Sequence, residues 1–329
     1  MWGENQVDAA SIPPGMVEVA EHLKGRDFIR IGSWSSDELK TVLDLADELK
    51  ELQAKREPHE LLPGRMVGLI FQKPSTRTRV SFEVGVAQLG GRALYLAAGD
   101  LQLGRGETIK DTANVLERYL DAIMIRTFAQ EDVEQLAEHA DVPVINGLTD
   151  YAHPCQALAD LMTIRERLGR LSGVRLAYLG DGNNVCISLM LGAARFGMRF
   201  VAATPEGYEP DKDAVTAARR AAVQMGGTVE LVHDPREAAR EADVVYTDVW
   251  TSMGQEEEAE RRRADLADYK IDDELLALAG AEAIVLHCLP AHYGEEITEE
   301  VLYGRQSAVW DQAENRLHSQ KALMALIVP

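Results

Sequence analysis

Residues Val67 to Gly90 read VGLIFQKPSTRTRVSFEVGVAQLG. An apolar, strand-like run (Val67, Leu69, Ile70, Phe71) leads through a Lys73-Pro74 turn into the string Ser75-Thr76-Arg77-Thr78-Arg79. An amphipathic segment follows, with apolar residues at Val80, Val84, Ala87 and Leu89. The pattern reads strand, loop, helix. Ser75 or Thr76 is placed to cap the helix, and the unpaired amides of a first helical turn form a ready anion site. Two more hydroxyls and two guanidiniums stand around it, and a guanidinium meets phosphate bidentately. A capped helix with two surface arginines uses the same residue types, but Arg, Thr and Arg in one turn beside a cap point to a phosphate cradle.

Outward from this stretch the chain alternates. Before it, Ser35 to Lys55 carries Leu39, Val42, Leu43, Ala46, Leu49 and Leu52 at helical spacing, with Ser35 and Glu38 placed for a capping box. After it come 92–98 extended, 108–120 helical, 121–126 extended, 131–139 helical and 142–146 extended. Pro154 suits a first helical position, so a helix is expected from there to about Leu168, and Gly169 to Gly173 then reads as a domain junction. Strands are expected at 174–179, 199–204, 228–233, 243–247 and 284–287, with helices at 185–196 and 211–224 between them. Such alternation predicts an α/β fold of two doubly wound parallel sheets. The polar 256–268 segment, with Glu257 and Glu258 four residues before Arg261 and Arg262, reads as a solvated helix face. The last helix, from Ser319 to Ile327, is apolar and is expected to pack back on the first domain.

Composition bounds the function. The 329 residues hold 34 Lys+Arg against 54 Asp+Glu, a formal net charge of −20, which argues against nucleic acid and anionic membrane surfaces as partners. No apolar run approaches the ~18 residues of a membrane span. Cys155, Cys186 and Cys288 are far apart and odd in number, as expected of a reduced, cytoplasmic protein without structural zinc. Residues 1 to 25 contain Glu4, Asp8 and Glu18 and no basic start before an apolar core, so they read as an N-terminal arm rather than a signal peptide.

Unusual polar residues recur just past predicted strand ends: Ser75 to Arg79, Arg126, His153, Asn183 and Asn184, Asp248, and Cys288. Ligands of open α/β sheets bind beyond the carboxyl ends of strands, so six such placements argue for one cleft between two domains. Taken singly, each has an ordinary reading. His153 alone reads as a capping histidine and Cys288 as a buried strand cysteine. Gly180-Asp181-Gly182-Asn183-Asn184 follows a strand as a dinucleotide loop does, but the full Gly-x-Gly-x-x-Gly pattern and the acidic residue ~20 positions on are out of register.

Together the motifs are specific. The Ser75 to Arg79 string resembles the carbamoyl-phosphate signature of the aspartate/ornithine carbamoyltransferase family. His153-Pro154-Cys155-Gln156, Asp248 to Gly254, His287-Cys288-Leu289-Pro290 and Glu314-Asn315-Arg316 follow in the order and approximate spacing of its ornithine branch, over roughly Asp27 to the C-terminus. The aspartate branch is not expected to carry the Ser252-Met253-Gly254 loop or the His-Cys-Leu-Pro string, and the putrescine branch replaces the loop. This chain is compact over His287 to Ile297, where some members carry a long insertion, and its N-terminal arm is unmatched.

The resemblance implies transfer of the carbamoyl group from carbamoyl phosphate to the δ-amine of L-ornithine, giving citrulline and phosphate. Arginine biosynthesis and, in reverse, arginine catabolism use the same residues. It also implies a carbamoyl-phosphate domain over 1–153, with a 312–329 helix packing back on it, and an ornithine domain over 154–311. Ser75, Thr76, Arg77 and Thr78 would hold the phosphate, and Arg126 would be shared between phosphate and carbonyl oxygen. Thr78, His153 and Gln156 would address the carbamoyl end, with Cys288, Leu289 and Arg316 closing the pocket. Asn184, Asp248, Ser252 and the Met253 backbone would hold ornithine. Arg126, His153, Asp248 and Cys288 are the expected catalytic residues. Freeing the δ-amine's lone pair at neutral pH costs roughly three pKa units, on the order of 4–5 kcal/mol, and desolvation by a loop hinged near Gly254 would lower that cost. No metal or organic cofactor is implied. The family assembles as trimers with shared sites, and Gln102 matches the residue that reaches in from a neighbour, so a homotrimer or a multiple of trimers is expected.

Overall fold

The computed structural model describes residues 21–97, 99, 106–251, 254 and 256–329. The chain forms two compact units, Met1–Asp150 with Arg316–Pro329, and Tyr151–Asn315. Gly169 to Gly173 therefore lies inside the second unit rather than at its edge. Gly169 instead takes the left-handed position that ends a helix, at φ +71°, and its amide donates to the Arg165 carbonyl.

The first unit begins with α1 (Ser36–Lys55), where Ser35 and Glu38 form the expected capping box. Then come β1 (Met66–Phe71), α2 (Thr76–Gln88), β2 (Arg92–Ala97), α3 (Ile109–Leu116), β3 (Ala122–Arg126), α4 (Gln130–His139) and β4 (Val144–Leu148). The strands make one parallel sheet in the order β2-β1-β3-β4. Its core is Ile70, Ile123, Ile125, Val133, Leu136 and Val144, the β-branched and Leu positions that alternation marks. Helix α3 stops four residues short of expectation, and β4 lies two residues later, where a register shift falls between Ile125 and Arg126. The apolar residues of α2 divide unexpectedly: Phe82, Val86 and Leu89 are buried, whereas Val80 and Val84 are 51% and 39% exposed.

The second unit holds α5 (Pro154–Leu168), β5 (Arg175–Leu179), α6 (Asn184–Arg195), β6 (Arg199–Ala203), α7 (Lys212–Met225), β7 (Thr228–Val232), α8 (Pro235–Ala239) and β8 (Val244–Thr247). It continues with α9 (Ala259–Leu266), α10 (Asp273–Leu276), β9 (Ile284–His287), α11 (Glu299–Leu302) and the start of α12 (Val309–Ile327). Its parallel sheet runs β7-β6-β5-β8-β9. Helix α12 begins ten residues before the Ser319 of the periodicity and three before the 312 implied by the resemblance, and its residues from Arg316 onward belong to the first unit.

In the first unit α12 carries a fully buried lysine. Lys321 Nζ donates to Gln88 Oε1 at 2.9 Å and lies 2.9 Å from His59 Nε2. The other ring nitrogen, Nδ1, is 2.9 Å from the Glu57 carbonyl, so it carries the proton and Nε2 accepts from the lysine. Burial pushes the Lys321 amine down to about 8. A lysine lowered on folding leaves the unfolded chain binding the extra proton between about pH 8 and the ordinary lysine range near 10.4, so this group adds stability as pH rises through that window. Melting temperatures of the native protein and Lys321→Met, compared from about pH 7 to pH 9.5, should move in favour of the native protein as pH rises. A pH-independent difference would rule the effect out.

Candidate functional site

In the first unit the phosphate string sits where a doubly wound sheet places ligands. The chain runs from β1 outward to β2 on one side and, after crossing back, from β3 outward to β4 on the other, so the carboxyl ends of β1 and β3 flank a switch point. Ser75 to Thr78 follow β1, and Arg126, 6% exposed, ends β3 with its Cα paired to Phe71. Ser75 caps α2: its Oγ accepts the Thr78 amide at 3.3 Å and lies 3.1 Å from Thr78 Oγ1. Arg316 belongs to the same unit and donates from Nη2 to Thr78 Oγ1 at 3.4 Å. Gln320 holds that guanidinium, its amide oxygen 3.0 Å from Arg316 Nε and 2.9 Å from Nη2, while its nitrogen donates to Ser81 Oγ at 2.7 Å. The structure thus brings Ser75, Thr78 and Arg316 into one hydrogen-bonded group at a helix N-terminus. Thr76 and Arg77 occupy the first turn of α2.

The second unit has its own switch point between β5 and β8, and its expected residues gather there. Asn183 follows β5, Asp248 follows β8 and Cys288 follows β9. Asp248, 7% exposed, accepts the Asn183 amide nitrogen on Oδ2 at 2.7 Å, and on Oδ1 the Cys288 thiol at 2.7 Å and the Val249 amide at 2.8 Å. Asn183 is fixed from behind: its Oδ1 caps α6 by accepting the amides of Val185 and Cys186 and also takes the Tyr178 hydroxyl at 3.1 Å. Burial, with the charge of Asp248 nearby, holds the Tyr178 phenol well above its ordinary range, so it stays a donor. Asn183, expected only as a strand-end residue, is the one that orients Asp248. Asn184 opens α6 beside it.

His153 and Gln156 start α5. The His153 amide donates to Ser188 Oγ at 2.8 Å, and Gln156 Nε2 donates to Asp160 Oδ1 at 2.8 Å. Asp160 is fully buried and also takes Gln312 Nε2 at 2.6 Å, so one carboxylate sets two amides. Gln102, Ser252 and Met253 lie outside the described residues.

The 256–268 segment is not a solvated face throughout. Arg262 is 5% exposed, its Nε donates to the Trp250 carbonyl at 2.5 Å, its guanidinium pairs with Asp181, and it lies 5.0 Å over the Tyr208 ring. Burial raises Asp181 and Arg262 opposes that rise. Removing one member of a buried pair leaves an uncompensated charge at ~3–5 kcal/mol. Arg262→Ala should therefore lower unfolding free energy in denaturant titration by about that amount, and a loss below ~1 kcal/mol would show the pair to be peripheral.

The same loop bears on the dinucleotide reading. A Cβ on Gly182 would fall 2.2 Å from the Pro210 nitrogen and 2.6 Å from the Glu209 carbonyl carbon, and the Gly182 amide donates to the Tyr208 carbonyl. Gly182 serves close packing of 208–210 over the loop, a place a pyrophosphate would need. Among the described residues, Asp248, His287 and Cys288 have metal-type donor atoms within 4.8 Å of one another. His287 Nδ1 accepts the Leu289 amide, however, and Nε2 donates to Glu296. Both ring nitrogens are committed within the protein.

Comparison with known proteins settles the family. The description "Aspartate/ornithine carbamoyltransferase, carbamoyl-P binding domain" matches residues 26–166, and "Aspartate/ornithine carbamoyltransferase, Asp/Orn binding domain" matches 172–327. The chain belongs to the aspartate/ornithine carbamoyltransferase family. Within that family, an ornithine carbamoyltransferase of Symbiobacterium thermophilum is 58% identical over 306 residues, 93% of this chain and 99% of its own length. One from Oceanobacillus iheyensis is 56% identical over 308 residues, 94% of this chain and 96% of its own. A solved ornithine carbamoyltransferase from Pyrococcus furiosus superposes with a TM-score of 0.91 at 55% identity, covering 93% of this chain and 98% of that one. The carbamoyltransferase fold of two parallel-sheet domains is thus the fold of this chain.

Proposed function

We propose that this protein is an ornithine carbamoyltransferase: it moves the carbamoyl group of carbamoyl phosphate to the δ-amine of L-ornithine, releasing phosphate and L-citrulline. The observation that carries the reading is the Asn183–Asp248–Cys288 group at the β5/β8 switch point, a buried carboxylate suited to an amino acid's α-ammonium, in a chain that also holds a complete phosphate string. Homologues named ornithine carbamoyltransferase, at 56–58% identity over nearly the whole chain, support it.

Ser75, Thr76, Arg77 and Thr78 bind the phosphate through hydroxyls, a guanidinium and the first amides of α2, and Arg316 and Arg126 add positive charge. As the amine attacks the carbonyl carbon, negative charge grows on the carbonyl oxygen and then on the leaving phosphate. Donors fixed in advance stabilise that charge most, because they need no reorganisation. Arg126, Thr78 and His153 address the carbonyl oxygen. Gln156, with Nε2 held by Asp160, offers its oxygen to the carbamoyl nitrogen, and the Cys288-Leu289 backbone closes that end with Gln102. Asp248 takes the α-ammonium of ornithine, while Asn184, Ser252 and the Met253 amide take its carboxylate. The amine attacks carbon, the C–O bond to phosphate breaks, and the amine proton leaves with phosphate or solvent, so charge and atoms balance.

The free thiols Cys155, Cys186 and Cys288 suit a reducing cytoplasm. No helix among the described residues is long and apolar enough to cross a membrane. The active form is a homotrimer or a multiple of it. Exposed Val80, Val84, Leu94, Tyr95, Val115 and Tyr119 on the first unit support association. Light scattering should give three chains or a multiple of three, and a monomer would contradict it. For the reaction itself, carbamoyl phosphate and ornithine should yield citrulline and phosphate in equal amounts; phosphate release without citrulline would refute the assignment.

A further inference from the structure

The segment His287 to Pro290 holds a backbone conformation that its own residues do not favour. Leu289 has φ +57°, in the left-handed region where a Cβ is strained. Its amide points at the ring of His287, donating to Nδ1 at 2.8 Å. Nδ1 must therefore present a lone pair, so His287 is neutral with its proton on Nε2. Nε2 lies 3.0 Å from Glu296 Oε1, and both side chains are 0% exposed. The same Oε1 accepts the His292 amide at 2.6 Å, which ties the carboxylate to the far side of the loop. His287 is further pinned through its own amide, which donates to Gln312 Oε1 at 2.9 Å.

A buried carboxylate that touches no proposed substrate group needs a reason to be there, since burying a charge is costly unless it is used. An acceptor-only group is what selects the Nε2–H tautomer, because it cannot donate to the ring. An amide in its place could present NH2 and stabilise the Nδ1–H form, which would set two donors, Nδ1–H and the Leu289 N–H, against each other.

We propose that Glu296 is a positioning residue for carbamoyl transfer: it fixes the His287 tautomer, His287 Nδ1 holds the Leu289 amide, and this sets the left-handed turn that places Cys288 and Leu289. The proposal rests on the reading that Cys288-Leu289 borders the reacting groups. Glu296 lies eight residues beyond Cys288 and reaches the Cys288-Leu289 turn through His287. A residue that orients a functional group from behind changes activity by ~10–100-fold when altered.

The test has three arms. In 15N-labelled native protein, two-bond proton–nitrogen correlations should show His287 protonated at Nε2 alone at neutral pH; a proton on Nδ1 would overturn the proposal whatever the variants do. Glu296→Gln should lower kcat/KM for ornithine ~10–100-fold through kcat, with carbamoyl-phosphate affinity, which rests on the Ser75 string, changed less than about threefold. Near-native kcat in a folded Glu296→Gln protein would overturn it. Third, Asn at 287 offers an acceptor near the Nδ1 position and has no tautomers, so adding Glu296→Gln to His287→Asn should cost nothing more, whereas a purely structural carboxylate would give additive losses. Asp248→Asn measured in parallel separates the two readings. If that variant keeps full ornithine turnover, the assignment of the site fails, while the tautomer result still judges the relay.

Discussion

Arg77→Ala should retain on the order of 10⁻²–10⁻³ of native turnover while the melting transition is little changed. Arg77 stands in the first turn of α2, one residue from Thr78, at the end of β1 where the helix amides already favour an anion. Alanine is the best helix former, so the substitution leaves α2 intact. What is lost is a guanidinium fixed before the leaving phosphate develops its charge, and loss of one such donor typically costs ~10²–10³ in rate. Because that charge grows toward the transition state, the loss should appear in kcat as well as in the KM for carbamoyl phosphate. Steady-state kinetics beside thermal melting checks both halves. A variant that keeps more than a third of native turnover would remove Arg77 from the cradle.

Asp248→Asn should lower kcat/KM for ornithine by ~10–150-fold, the equivalent of losing one hydrogen bond to a charged group at roughly 1.5–3 kcal/mol. The surroundings sharpen the expectation. Every hydrogen bond that Asp248 makes in its buried position is one it accepts, from Asn183, Cys288 and Val249. An asparagine must turn its NH2 toward either Asn183 Nδ2 or the Cys288 and Val249 donors, so one side becomes donor against donor. Putrescine keeps the second ammonium but lacks the α-carboxylate that seats it beside Asp248, so its slow turnover should be affected much less. Equal losses with both amines would mean that Asp248 supports the fold rather than the substrate.

Features set by local chemistry were legible in the sequence. The Ser35/Glu38 capping box, Pro154 at the first position of α5 and the end of α5 at Leu168 all appear as read, because each is decided within a few residues. All nine expected strands form. Features set by distant partners were not legible. Arg262 sits among charges, as a solvated arginine would, and its buried place is set by Asp181, the Trp250 carbonyl and the Tyr208 ring, 81, 12 and 54 residues away. Periodicity starts α12 only at Ser319, later than the 312 implied by the resemblance, because polar residues form the buried face of its early turns. Gln312, Asn315, Arg316 and His318 are at most 3% exposed, with Gln312 bonded to Asp160 and Asn315 to Thr163 and Glu166. An apolar stripe cannot mark such a face. Val80 and Val84 misled in the opposite sense: they are apolar and helical in spacing, yet they point away from the core of their own unit.

The site residues divide in the same way. Ser75, Arg126, Asp248 and Cys288 announced themselves by residue type just past a strand end, where a sheet has no structural use for them. Asp160 and Glu296 orient others from behind, and nothing in their immediate sequence distinguishes them from a helix acid or a surface glutamate. Their one signal is burial of a group that ordinarily seeks water, which appears only in three dimensions.

The most direct test of the central claim is citrulline-type product formation from carbamoyl phosphate with ornithine, putrescine, lysine and aspartate offered separately to the same preparation. The arrangement around Asp248 predicts kcat/KM for ornithine at least tenfold above each of the others, with aspartate inert because it has no side-chain amine to attack with and its second carboxylate would meet the carboxylate of Asp248. Preference for putrescine, lysine or aspartate, or no product from any amine, would contradict it.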